Sequence, residues 1–262
     1  MPHADVNGQR LYYEDAGSGE PAVLFSHGFF MDHSMFDPQV QALSDRWRCV
    51  TWDERGHGQT ETSPDPFTYW DSGKDALGLL DHLGIEQAVL AGMSQGGFLS
   101  LRAALTAPDR VRALILIDTQ DRPEDPEKVA GYDQLIAAFK APGGPPQEVL
   151  DTVAGIILGE GVPDTERWQR SWTEIPHDTL DQIYTTLTTR EDDINARLGE
   201  LTMPILMIHG EADAAIELSV AERLAGDLPN AELVAIPGAA HAPNLSHPDA
   251  VNPHIERFLS SL

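Results

Sequence analysis

The sequence predicts an α/β fold, in which a mostly parallel sheet is flanked by helices and interrupted by an inserted helical unit. Short buried apolar runs alternate with helical patterns over residues 1–120, and the same alternation returns over 201–262. Residues 121–200 between them hold helical patterns and no convincing strand. Strands that alternate with helices imply βαβ units, whose strands lie parallel. We therefore expect one core, formed by 1–120 and 201–262, and a helical insertion over 121–200.

The first part of the core contains five strand patterns and three helical patterns. The turn Asn7-Gly8 is a strong hairpin signal before the first strand, and Gly84 is a suitable C-cap for the second helix. The strands are predicted at 9–15, 22–26, 48–53, 88–91 and 111–118, and the helices at 35–43, 69–83 and 96–107.

The remaining elements follow in chain order. Pro- and Gly-rich stretches at 142–146 and 159–163 break the helical insertion into separate pieces. The βα alternation then resumes with strands at 204–209 and 232–236 and helices at 216–228 and from Pro248 onward.

Composition and charge limit the classes of function. The chain has 262 residues, of which 41% are hydrophobic, and its formal net charge is -25. Such a surface repels phosphate backbones and anionic membranes, so no nucleic-acid or membrane partner is expected. Cys49 is the one cysteine in the chain, which rules out an internal disulfide and a cysteine metal site. We expect neither a metal nor another cofactor.

The expected location is the cytoplasm. The N-terminus has no basic start and no apolar stretch of the kind found in signal peptides. The longest apolar runs, such as 114–117 and 205–208, are far too short to span a bilayer. The sequence does not indicate an oligomeric state.

The sharpest chemical signal is residues 92–97, Gly-Met-Ser-Gln-Gly-Gly, between a buried strand and a helix. A G-x-S-x-G motif at such a junction forms a tight turn that holds the serine under strain and exposes its hydroxyl. The N–H groups at the start of the following helix favour negative charge that develops there. Ser94 is therefore the predicted nucleophile.

A serine nucleophile requires a base, and the base requires an acid that orients it. His241 follows the last predicted strand and is the predicted base, while Asp213 follows the preceding strand and is the predicted acid. Both lie in loops at the carboxyl ends of strands, where open α/β sheets form their sites. Asp118, at the end of the strand after the serine helix, is an alternative acid, and a helix-capping role is the alternative for Asp213.

An oxyanion hole requires two backbone N–H groups aimed at the developing negative oxygen. Gln95, directly after the nucleophile, is expected to supply one of them. Phe29 is expected to supply the other, because Gly28 before it lets the backbone approach closely.

Together these motifs resemble the α/β-hydrolase superfamily over essentially the whole chain. Residues 27–29 resemble its oxyanion motif, 53–58 its D-x-R-G-x-G turn, and 92–97 its nucleophile elbow. The resemblance implies an eight-stranded, mostly parallel sheet with residues 121–200 as a helical cap over the site. It also implies that Arg55 and His57 shape a turn and are not catalytic.

The resemblance implies a serine hydrolase that cleaves a carboxylic ester or lactone through an acyl-enzyme on Ser94. A serine at the elbow argues against epoxide hydrolases and haloalkane dehalogenases, which carry aspartate there. The alternatives are C–C bond hydrolysis, perhydrolase, lyase or cofactor-free oxygenase chemistry, and ligand binding without efficient turnover. Apolar walls favour a small to mid-sized, fairly hydrophobic substrate. The side chains expected to line the pocket are Phe30, Met93, Ile157, Trp168 and Trp172.

Overall fold

The computed structural model describes residues 2–159, 162, 164–190 and 194–262. At its centre is one eight-stranded sheet with the strand order β1-β2-β4-β3-β5-β6-β7-β8. The pairs β1/β2 and β2/β4 are antiparallel, and all other neighbouring strands are parallel, which confirms the predicted sheet. The strands are β1 (His3–Val6), β2 (Gln9–Ala16), β3 (Ala22–Ser26), β4 (Cys49–Trp52), β5 (Ala88–Met93), β6 (Val111–Ile117), β7 (Ile205–Gly210) and β8 (Ala231–Ile236).

A hydrophobic cluster covers each face of the sheet. Because alternate side chains of a strand point to opposite faces, Leu24 and Phe25 of β3 belong to different clusters. Strands buried on both faces read as continuous apolar runs, which is why β3, β5 and β6 were predictable. The helices are α1 (Asp37–Leu43), α2 (Tyr69–His82), α3 (Gln95–Thr106), α4 (Pro126–Phe139), α5 (Gln147–Ile157), α6 (Thr165–Thr173), α7 (His177–Thr188), α8 (Leu218–Asp227), α9 (Pro243–Ser246) and α10 (Pro248–Leu259).

The hairpin between β1 and β2 turns at Asn7 and Gly8, as predicted. Their φ angles are 47° and 76°, both positive, and Val6 pairs with Gln9 across the turn. Two consecutive positive φ angles are typical of the type I′ turn, whose twist matches that of the paired strands.

Four helices, α4–α7, occupy the segment between β6 and β7, and the described residues of this segment contain no strand. Helix α4 packs against α7, and α5 packs against α6. The break predicted at 142–146 falls in the connection between α4 and α5. The second predicted break, 159–163, lies partly outside the described residues.

The six strands β3–β8 run parallel to one another, and their carboxyl ends lie at the same edge of the sheet. Their carboxyl ends lead into the loops that carry the predicted chemical residues, so the fold brings segments from distant parts of the sequence together. None of the helices in the described part of the chain combines the length and the apolar character needed to cross a lipid bilayer.

Candidate active site

Ser94 lies at the junction of β5 and α3 in a strained backbone conformation. Its φ of 50° and ψ of -114° are rare for a residue with a side chain. Glycine is required on both sides, because a Cβ on Gly92 would collide with the carbonyl of Gly96, and a Cβ on Gly96 with that of Ser26. This is the geometry that the G-x-S-x-G motif predicts.

The Ser94 backbone is anchored to neighbouring elements. Its N–H donates to the Ile117 carbonyl over 2.9 Å, and its carbonyl accepts from Thr119 Oγ1 over 2.7 Å. Ser94 is 8% exposed and lines a cavity of about 110 Å³. Ser94 is therefore held on a rigid support beside this cavity.

His241 lines the same cavity and is hydrogen-bonded to Asp213. The distance from His241 Nδ1 to Asp213 Oδ2 is 2.7 Å. Since a carboxylate can only accept, Nδ1 carries the proton and Nε2 keeps a lone pair that can accept a proton. The three sequence-predicted residues thus meet at one edge of the sheet, although they come from three loops.

The Asp213 carboxylate is held by both of its oxygens. Oδ1 accepts from the N–H groups of Ala215 and Ile216 over 2.8 and 3.0 Å. Burial alone would raise the pKa of Asp213, but electrostatic attraction to His241 and the hydrogen bonds from His241 and the Ile216 N–H hold it below its ordinary value. The acid is therefore charged near neutral pH, as an orienting group requires.

Asp118, the alternative acid, is completely buried beside Asp213. Its Oδ1 accepts from the Gly210 N–H over 2.8 Å, and a side-chain hydrogen bond links its carboxyl to that of Asp213. Burial, and then the charge of Asp213, raise the pKa of Asp118 well above its ordinary value. Two adjacent buried carboxyls cannot both ionise, and here Asp213 takes the charge.

Among the described residues, Asp118, Asp213 and His241 form one group whose ligand atoms lie within 4.8 Å of one another, close enough to share a metal ion. Both oxygens of Asp213 and Nδ1 of His241 are already engaged in hydrogen bonds. A metal would have to displace those bonds, so the donor set suits proton transfer better than metal binding.

The loop predicted to form the oxyanion hole packs against the elbow. A Cβ on Gly28 would lie 2.5 Å from Met93 Sδ and 3.7 Å from the Ser94 Cβ, so a larger residue would force the Met93 side chain to move. His27 braces the loop, because its Nδ1 donates to the Gly28 carbonyl and its Nε2 accepts from the Glu54 N–H, each over 2.9 Å. Phe29, the next residue, lines the cavity.

Gln95 is the first residue of α3, and its side chain joins a buried network that the sequence analysis did not anticipate. Its Nε2 donates to Glu54 Oε2 over 2.6 Å, and Tyr69 donates to its Oε1 over 3.2 Å. Burial raises the pKa of Glu54 to about 8, so this carboxyl is largely neutral at neutral pH. The network fixes the residue whose backbone N–H is predicted to bind the oxyanion.

The cavity is mostly apolar, and three of the five residues predicted to line it do so, together with Phe29 of the predicted oxyanion hole. Phe29, Phe30, Met93 and Ile157 all line it. The sequence analysis did not single out most of the others, which lie largely on α3, α4, α5 and the loops after β6 and β7. They are Phe98, Glu124, Tyr132, Leu135, Val153, Ile156, Leu187, Ala215 and Ile216.

Trp168 and Trp172 are a correction to the predicted pocket. They are 2% and 0% exposed, and neither lines the cavity. The Trp172 ring packs 6.0 Å from the ring of Phe30, centroid to centroid, so it lies behind the cavity wall. Helix α6 buries its aromatic face against neighbouring side chains and does not present it to the cavity.

Comparisons with known proteins agree with this geometry. A family model described as "alpha/beta hydrolase fold" matches residues 21–154, and one described as "TAP-like protein" matches residues 181–262. A Synechocystis protein provisionally named non-heme chloroperoxidase is 31% identical over 99% of this chain and 100% of its own length. A Caulobacter protein provisionally named carbamate hydrolase is 30% identical over 99% of this chain and 98% of its own.

Solved structures of hydrolases also match the fold over nearly the whole chain. A thermophilic esterase from Thermogutta terrifontis matches with a TM-score of 0.89 and 27% identity, over 100% of this chain and 99% of that one. The enol-lactonase from Burkholderia xenovorans matches with a TM-score of 0.87 and 26% identity, over 99% of this chain and 100% of that one. The chain therefore belongs to the α/β hydrolase family, and these comparisons support a hydrolase that acts on small molecules.

Proposed function

We propose that this protein is a serine hydrolase that cleaves a carboxylic ester or a lactone. The observation that carries the proposal is the shared cavity, which is lined by a strained serine and by a histidine bonded to a charged aspartate. The similarity to an esterase and to an enol-lactonase supports the same class of substrate.

In the proposed mechanism, His241 Nε2 takes the proton from the Ser94 hydroxyl, whose oxygen attacks the acyl carbon. The N–H groups of Phe29 and Gln95 bind the resulting oxyanion, and Asp213 stabilises the imidazolium. The carbon–oxygen bond to the leaving group then breaks, and His241 gives its proton to the departing alcohol. His241 next deprotonates a water molecule that attacks the acyl-enzyme, which releases the acid and restores Ser94.

The cavity is proposed to receive the acyl chain or the lactone ring, with α4–α7 acting as a cap. Tyr132 and Leu135 of α4 and Val153 and Ile157 of α5 line it, so these helices bound the space beside Ser94. At about 110 Å³ the cavity is smaller than a typical drug-sized site, which favours a short acyl group.

Hydrolysis of p-nitrophenyl esters from acetate to decanoate, beside a panel of small lactones, tests the proposal. We expect saturable turnover with an optimum at a short chain, and Ser94→Ala should lower kcat by at least about 10³-fold. Ser100→Ala is the matched control, because Ser100 lies on the same helix, is buried and does not line the cavity. Equal activity in Ser94→Ala and the native chain would contradict the proposal.

Carbamate hydrolysis is a second candidate, favoured by the name of the Caulobacter relative. A carbamate is also an acyl compound, so the same nucleophile and oxyanion hole would serve it. A p-nitrophenyl carbamate added to the panel separates the two candidates, and the higher kcat/KM identifies the preferred bond.

A further inference from the structure

Apart from Ser94 and His241, two polar side chains lie in the mostly apolar wall of the cavity. Glu124, in the loop before α4, and Tyr132, on α4, both line it. Glu124 Oε1 accepts from Gln120 Nε2 over 3.0 Å and from Arg190 Nη2 over 3.1 Å. Binding pockets usually combine apolar walls with a few fixed polar groups that orient the ligand.

The Glu124–Arg190 ion pair is buried, so both charged groups lose the favourable free energy of hydration. The two side chains are 5% and 1% exposed, and within the described residues Nε and Nη1 of Arg190 have no hydrogen-bond partner. The guanidinium lies 3.8 Å from the ring centroid of Phe98, which also lines the cavity. An apolar pair of similar volume would hold these elements together without the desolvation penalty, so stability is a weak reason for charge at this position.

We propose that Glu124, positioned by Arg190, forms with Tyr132 a polar subsite that binds a hydroxyl on the substrate. This inference rests on the proposed function, because the subsite acts on a substrate attached to Ser94. The carboxylate accepts the hydrogen bond, and the guanidinium offsets its charge, so the pair suits a neutral donor better than a cation. The Tyr132 hydroxyl offers a second donor or acceptor. The expected substrate is a hydroxylated acyl ester or lactone.

The test compares esters that differ by one group, a hydroxyl in place of a methyl. One pair is p-nitrophenyl 3-hydroxybutyrate and 3-methylbutyrate, and the other is p-nitrophenyl 6-hydroxyhexanoate and heptanoate. The readout is the hydroxyl-to-methyl ratio of kcat/KM, in which general effects on chemistry or folding cancel. The native chain should give a ratio above one for at least one pair, and ratios below one for both pairs would overturn the subsite.

The variant Glu124→Met with Arg190→Met replaces the charged pair with apolar side chains of similar volume. We expect it to lower that ratio by about 10- to 100-fold, as for the loss of a hydrogen bond to a charged group. The matched control is Lys140→Met with Asp181→Met. This pair also links the end of α4 to α7, with 2.7 Å between Nζ and Oδ1, but does not line the cavity. An unchanged ratio, or an equal fall in the control, would overturn the subsite.

Tyr132→Phe provides an independent test if the double variant does not fold, because this substitution removes one hydroxyl and keeps the ring. We expect the ratio to fall several-fold in Tyr132→Phe, and an unchanged ratio would overturn the subsite. If the native chain hydrolyses the esters but the hydroxyl-to-methyl ratio is unchanged in the variants, the subsite is contradicted and the proposed function is not. Failure of the native chain to hydrolyse any ester would contradict the proposed function and the subsite together.

Discussion

At the scale of single residues, Asp118 and Asp213 show how the environment assigns different states to identical side chains. Asp213 accepts hydrogen bonds from two backbone N–H groups and from the His241 ring, whereas Asp118 accepts from one backbone N–H group. The pKa of Asp213 is lowered and that of Asp118 is raised, the latter first by burial. The charge therefore resides on the carboxyl that contacts the histidine.

The variants Asp213→Asn and Asp118→Asn should separate the two carboxyls. Asp213→Asn is expected to lower kcat by about 10⁴-fold, because an amide can hold the imidazole in the wrong tautomer. Asp118→Asn should keep most of the activity, because an amide replaces a carboxyl that is already neutral. Steady-state kinetics on p-nitrophenyl butyrate, with circular dichroism to confirm folding, measures both. A loss in Asp118→Asn as large as that in Asp213→Asn would contradict this division of roles.

At the scale of elements, the start of α3 depends on a buried carboxyl that is not itself proposed to react. Glu54, in the loop after β4, accepts a hydrogen bond from the Gln95 side chain, and its backbone N–H donates to His27 Nε2. One residue thus contacts both segments of the predicted oxyanion hole, the loop after β3 and the first turn of α3. Burial leaves this glutamic acid largely neutral at neutral pH.

Glu54→Gln should make stability less dependent on pH. Burial raises the pKa of Glu54 from 4.5 to about 8, so its contribution to stability is complete below pH 4.5 and falls as the pH rises towards 8. The glutamine keeps a carbonyl acceptor for Gln95 and does not titrate. The stability of Glu54→Gln relative to the native chain should therefore increase between pH 4 and pH 8, by on the order of 4 kcal/mol.

Urea unfolding of both proteins at the two pH values measures this difference. The control is Glu61→Gln, because Glu61 is exposed in the same loop. The difference in stability between this variant and the native chain should change little between the two pH values. A relative stability of Glu54→Gln that stays constant with pH would show that Glu54 does not carry the raised pKa.

At the scale of the whole molecule, the parts of the structure that local sequence patterns determine were predictable. Strand β3 was predicted with its observed bounds, because a continuous apolar run ends at a turn on each side. The elbow was also predictable from a local pattern, because its strand, its small residues and its helix are consecutive in the sequence. The expected order of Ser94, Asp213 and His241 then follows from the order of the strands.

The cavity wall was less predictable, because it depends on how distant helices pack. An amphipathic pattern shows that one face of α6 is buried but not what it packs against, so Trp168 and Trp172 were assigned to the cavity wrongly. Glu124 and Arg190 are 66 residues apart, and no local pattern connects them. Glu54 follows a motif aspartate, yet its contact with Gln95 depends on the packing of two loops.

The central claim is that Ser94 is the nucleophile, and covalent labelling tests it most directly. After treatment with a fluorophosphonate, intact-mass measurement should show one adduct per chain, and peptide mapping should place it on Ser94. The label should abolish ester hydrolysis, be absent in Ser94→Ala, and form much more slowly in His241→Ala. An adduct on another residue, or ester hydrolysis that continues with Ser94 unlabelled, would contradict the claim.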